Sequence, residues 1–148
     1  MQLSSPAFED EGLIPSVYTC DGKDIHPPFA FDDVPPAAVS LAIFVEDPDA
    51  PMNWIHWIMW NIDPTLTGLE KGEFPEGATE GMTSFGRAGW GGPCPPDAEH
   101  HYRFHLYALD TMLDIPSTSG MEDFLNAIDG HILEEAQLIG VYQRKTLV

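Results

Sequence analysis

Positive charge is what this sequence has least of. Three lysines (Lys23, Lys71, Lys145) and three arginines stand against 24 Asp and Glu, for a formal net charge of -18. Nucleic acid is therefore disfavoured as a partner, because phosphate backbones select basic surfaces. An anionic membrane surface is disfavoured for the same reason. Long apolar runs are missing too. No run approaches the roughly 18 residues a transmembrane helix needs, so stable membrane insertion is not expected. The opening Met1-Gln2-Leu3-Ser4-Ser5-Pro6 has neither a basic stretch nor an apolar core. No secretory signal is expected, and the chain is expected to be cytoplasmic. There are only two cysteines, Cys20 and Cys94. They are too few for a disulfide scaffold and too far apart for a local zinc knuckle. In a reducing cytosol the plain expectation is two small buried thiols. No H-E-x-x-H and no G-x-S-x-G occurs, and Cys94 lies between prolines in a loop. The expectation is a binding protein, not an enzyme, with no cofactor.

What is present points to a folded domain. Apolar residues make up 43% of the chain, with four Trp, four Tyr and eight Phe, so the acidity does not signal disorder. It fits a solvated acidic face, or adaptation to high salt. The Debye length falls to about 3 Å at 1 M salt, which removes most surface self-repulsion. The halophilic reading is preferred because lysine is so scarce and the carboxylates are spread along the chain.

Fourteen prolines and 13 glycines break the chain into short pieces. That favours strands and ordered loops over long helices. The clearest strands are 40–46, 55–62 and 100–109, each closed by turn chemistry, with a fourth over 137–143. Weaker candidates lie at 7–8, 29–31 and 83–85. Ser119-Gly120-Met121-Glu122 reads as a capping box opening a helix that stops near Gly130. A second short helix is expected over 131–136. The expected fold is mainly β, a two-sheet Greek-key-like β-sandwich with short C-terminal helices, as a single domain over 1–148.

Side chains two apart on a strand share a face, so His100 and Tyr102 point together. Asp47 and Asp49 sit two apart at the end of the 40–46 strand, and His56 opens the next. Between them and His100 runs Gly86-Arg87-Ala88-Gly89-Trp90-Gly91-Gly92-Pro93-Cys94-Pro95-Pro96. Glycine lets backbone N–H groups approach a ligand, and successive N–H groups can form an anion nest. Each residue also has a plainer reading. The aspartates can cap an Asp-Pro turn, His56 can be a satisfied core histidine, and Tyr102 an ordinary strand aromatic. Arg87 is either a surface charge or a donor at the pocket mouth.

Four motifs occur in order: Asp47-Pro48-Asp49-Ala50-Pro51, Trp54-Ile55-His56-Trp57, the Gly/Pro loop, and His100-His101-Tyr102. Together they resemble the phosphatidylethanolamine-binding protein family, in its bacterial and archaeal Raf-kinase-inhibitor-like branch. The resemblance covers nearly the whole chain and implies the sandwich fold and a pocket for a small anionic or phosphate-bearing ligand. It assigns that pocket to Asp47, Asp49, His56, His100 and Tyr102, with Trp54, Trp90 and Gly92 around them. His101 falls where many members carry arginine, and no pocket role is transferred to it. In this reading Asp47 and Asp49 orient the histidines, while His56, His100, Tyr102 and the Gly92 loop donate to the ligand. The resemblance further implies a kinase or protease as a regulated target, a homodimer by analogy, and nearby cysteines able to bridge. The alternative is a metal-dependent hydrolase using the same His/Asp cluster.

Overall fold

The computed structural model describes residues 1–145. Among them β1 is Gln2–Ser4, β2 Gly12–Leu13, β3 Phe29–Asp32, β4 Ser40–Asp47 and β5 Trp54–Ile62. β6 is Gly68–Leu69, β7 Thr79–Glu80, β8 His100–Leu109, α1 Met121–Ile128 and β9 Ile132–Tyr142. Strands β1, β3 and β6 form a small antiparallel sheet. The large sheet runs β2-β9-β8-β4-β5-β7, antiparallel except for β2 beside β9. The chain leaves the β4–β5 hairpin and crosses to the far side of β4 to lay down β8. The fold is thus mainly β with two sheets, as expected.

β4 and β5 are apolar at almost every position because both faces of the large sheet are covered. Leu41, Ile43 and Val45 face the small sheet with Phe29, Phe31 and Phe104. Ala42 and Phe44 face the other way, under Phe124 and Ile128 of α1. β8 shows the boundary of that cover. Its first half alternates, with His100, Tyr102 and Phe104 buried and His101 and Arg103 exposed. Its second half is buried on both sides where α1 lies over Tyr107 and Leu109.

Several expectations need correction. The helix over 131–136 does not form; residues 132–136 open β9, paired with β8 from Leu109↔Ile132 to Leu106↔Ala136. The ladder overrides a local propensity that is only a weak prior. Gly130, at φ +82°, turns the chain from α1 into that strand. The capping box is absent as well. The N-cap is Gly120, with no side-chain cap bond, because the Ser119 carbonyl accepts the Met82 N–H at 2.8 Å. Glu122 and Asp123 instead favour the start of α1 through the helix dipole. The first strand is Gln2–Ser4, not 7–8, and near 83–85 only an isolated Met82–Ala88 bridge forms.

The cysteines are not buried thiols. Both are exposed, and they form a Cys20–Cys94 disulfide with Cα atoms 5.5 Å apart. That separation lies in the normal range for a bridge.

Candidate functional site

The pocket lies where β4, β5 and β8 end beyond the small sheet. Cross-strand rows pair Ile43 with Leu106 and Val45 with Phe104. One pleat further, the same row sets Asp47 beside Tyr102. His100 shares that face. His56 arrives by a different device. Val45 pairs with Trp57 but Glu46 pairs with Ile55, so His56 is an extra residue in β5, a β-bulge. The bulge resets the alternation. Trp57 belongs to the core beneath the small sheet while Ile55 packs on the α1 side. Bulges re-aim side chains at strand ends in this way.

The cavity has a volume of about 210 Å³ and is lined by Asp47, Trp54, His56, His100 and Tyr102, walled by Phe85 and Pro95. Drug-sized pockets run from about 300 Å³ upward, so this one suits a small headgroup. Trp54 stands edge-on to Phe85 at the mouth, with centroids 5.5 Å apart. Arg87 lies over the Phe85 ring and donates to the Trp90 carbonyl at 3.3 Å, and so braces the wall.

The hydrogen bonds fix what each group offers. His56 Nδ1 lies 2.6 Å from the Gly91 carbonyl oxygen. A carbonyl cannot donate, so Nδ1 carries the hydrogen. Burial pushes the His56 pKa down, only partly offset by the Gly91 bond and by Asp47. The ring is therefore neutral near pH 7, and Nε2 is an acceptor. His100 Nδ1 donates to Asp47 Oδ2 at 2.6 Å. Asp47 Oδ1 accepts the Asp49 N–H at 3.0 Å, so both oxygens of this buried carboxylate are engaged. The Tyr102 hydroxyl is the exception: it is buried and has no hydrogen-bond partner among the described residues. Burial first, then Asp47 and Asp49, push its pKa far up. It remains a phenol and a donor.

The structure brings Asp47, Trp54, His56, His100 and Tyr102 together, and leaves Asp49, Trp90 and Gly92 out of the cavity. Asp49 turns outward, where its Oδ2 accepts both the His101 N–H at 2.7 Å and His101 Nδ1–H at 2.8 Å. Those bonds lower its pKa. His101, given no pocket role, is thus what holds Asp49 away from the ligand. Trp90 is buried beneath the site, donating to the Tyr18 carbonyl and packed against Trp57 and Phe104. The Gly92 N–H is taken by Asp24 Oδ1 at 2.7 Å, and the Gly91 N–H by the His56 carbonyl at 3.0 Å. The loop is therefore no anion nest. Its glycines permit close approach: a Cβ at Gly92 would lie 2.5 Å from the Tyr18 carbonyl oxygen. Phe85 is a wall residue that nothing in its local pattern marks, while Cys94, Pro95 and Pro96 of the Gly/Pro loop line the wall as well.

The family model described as phosphatidylethanolamine-binding protein matches residues 4–143. A protein of Methanothermobacter thermautotrophicus named UPF0098 protein is 50% identical, covering 97% of this chain and 99% of its own. The solved phosphatidylethanolamine-binding protein homolog CT736 of Chlamydia trachomatis superposes with a TM-score of 0.94 at 43% identity, over 97% of each chain. YbcL of E. coli, described as a member of the mammalian PEBP family, superposes with a TM-score of 0.91 at 31% identity, over 97% of this chain and 98% of its own.

Proposed function

The chain belongs to the phosphatidylethanolamine-binding protein family, and from that premise we propose that it is a binding protein, not an enzyme, whose pocket takes a small oxyanion, phosphate or carboxylate, together with a proton. The observation that carries this is the Tyr102 hydroxyl, a buried donor with no partner among the described residues, in a cavity flanked by two imidazoles. A buried hydroxyl left unpaired costs about 1–3 kcal/mol, a cost that an accepting ligand oxygen removes.

The proton follows from the donor count. With both Nδ1–H groups committed, neutral His56 offers an oxyanion only a lone pair. Binding therefore requires an imidazolium, or a ligand that brings its own proton, as a monoprotonated phosphate does. The hydrogen bonds on both Asp47 oxygens temper the repulsion of its carboxylate without removing it, the proton offsets the rest, and Asp49 faces outward. Phosphate or acetate titrated by calorimetry at about pH 6 and about pH 8 tests the reading, with tighter binding expected at the lower pH. Affinity that is flat or rises with pH overturns it.

A metal-dependent hydrolase has one observation in its favour. Both histidines have Nδ1 held by an oxygen, as metal-binding histidines do. Against it, no three His, Cys, Asp or Glu side chains among the described residues group closely enough to hold an ion. Metal analysis of the purified protein separates the two readings.

A further inference from the structure

One wall of the pocket hangs on a single covalent bond. Cys94, Pro95 and Pro96 line the cavity. Upstream, the loop is fixed at several points. Gly91 is bonded in both directions to His56, Gly92 to Asp24, and the Pro93 carbonyl accepts the Cys20 N–H at 3.2 Å. Downstream, β8 begins at His100. Between them, residues 94–99 make no hydrogen bond to any described residue. Beyond the packing of Pro95, the disulfide to Cys20 is what ties this wall down.

The other end of that bond is a fixed post. Thr19 Oγ1 donates to the Ser16 carbonyl and accepts the Asp21 N–H. Asp21 in turn accepts from Tyr142 and Arg144. Cys20 and Cys94 are both exposed, so a thiol in solution reaches the bond without prior unfolding.

We propose that the Cys20–Cys94 disulfide is a redox latch on the anion pocket, closed when oxidised and released by a dithiol reductant. The proposal rests on the oxyanion-binding reading and deepens it. A thiolate of the dithiol attacks one sulfur, the S–S bond breaks, and a mixed disulfide forms. The reductant's second thiol then displaces the remaining cysteine. Two electrons and two protons pass to the protein, leaving two thiols, and the dithiol becomes a disulfide. The released wall withdraws the Cys94–Pro96 side of the cavity from the ligand while Tyr102, His56 and His100 stay in place on their strands.

The test compares inorganic phosphate binding to the oxidised protein, to the protein after excess dithiothreitol, after reoxidation, and to the Cys20→Ser/Cys94→Ser double variant. Near-ultraviolet circular dichroism follows core packing throughout. Phosphate affinity should fall at least about fivefold on reduction, return on reoxidation, and be equally low in the variant, with the aromatic signal retained. By reciprocity, saturating phosphate should make the bond harder to reduce by the same factor. Equal affinity in both redox states overturns the latch. So does loss of the aromatic signal on reduction, since the bond would then be a structural staple. An oxidised protein that binds no phosphate overturns the pocket reading itself, an outcome separate from either.

Discussion

Tyr102→Phe should move stability and binding in opposite directions. The substitution deletes one buried oxygen and leaves the ring, which lies 5.2 Å from His56 in an edge-to-face arrangement. That oxygen has no hydrogen-bond partner among the described residues. Its burial costs about 1–3 kcal/mol by mutational measure, so its removal should stabilise the protein by roughly 1 kcal/mol or leave it unchanged. With an oxyanion bound, the same hydroxyl donates to a charged acceptor, a bond worth about 1.5–3 kcal/mol. At about 1.4 kcal/mol per decade, the variant should bind phosphate roughly 10-fold to 100-fold more weakly. Denaturant melts without ligand and calorimetric titration of phosphate check the two halves separately. A variant that loses 1 kcal/mol or more without ligand would show the hydroxyl to be a structural group. Unchanged phosphate affinity would refute the role of Tyr102 as the anchoring donor.

The remaining expectations concern the other charged groups. Burial holds the His56 pKa below its ordinary value of about 6.5. The unfolded chain then binds the proton first, so stability from this residue rises with pH across that window and is lost as pH falls below about 6.5. His56→Gln should remove that slope in melts followed against pH, and an identical slope in the variant argues against a neutral His56. Asp47→Asn should weaken phosphate binding by disturbing His100, whereas Asp49→Asn should leave affinity within about twofold and cost at most about 1 kcal/mol, because its pair with His101 is roughly half exposed. Equal losses of affinity in the two variants would contradict the geometry. Reduction of the disulfide, which spans a sequence separation of 74 residues, should lower unfolding free energy by no more than about 4.5 kcal/mol on the loop-closure estimate. A denaturant titration giving a much larger loss contradicts that estimate. Melting temperature should climb from low to multimolar KCl if the net charge of -18 is an adaptation to salt, and a flat or falling curve rejects that reading.

The long strands β4, β5 and β8 were legible because they combine apolar patterning with abrupt Asp-Pro and Asp punctuation, whereas the two-residue strands β2, β6 and β7 carry too short a pattern to read. The end of β9 was legible from its apolar Leu138–Tyr142 run, but its beginning was not. Ile132-Leu133-Glu134-Glu135-Ala136 is a good helical string, and only the ladder to β8, which no local window contains, makes it a strand. The helix start failed in a related way. Ser119-x-x-Glu122 satisfies the capping pattern, yet Met82 on a distant segment takes the Ser119 carbonyl and shifts the cap by one residue. In both cases a hydrogen bond across long sequence separation outweighs a local preference worth about 1 kcal/mol.

For the site, residue types were legible and their roles were not. Spacing placed His100 and Tyr102 on one face, and strand ends gathered Asp47 and His56 near them. Whether a histidine gives or takes a hydrogen depends on what its other nitrogen touches, and that partner is the carbonyl of Gly91 in one case and Asp47 in the other. The His56–Gly91 contact depends on the extra residue in β5 and on glycines that let the loop lie close to the Phe85 ring and the Tyr18–Asp24 turn. The loop therefore serves ligand recognition at one remove. It spends its own N–H groups on the His56 carbonyl and Asp24, and its Gly91 carbonyl, accepting from Nδ1, fixes the His56 tautomer. That reverses the initial division of labour among the pocket groups. Tyr102 is the standing donor, the two imidazoles become donors only with an added proton, and the affinity of the pocket for an anion is set by where that proton comes from.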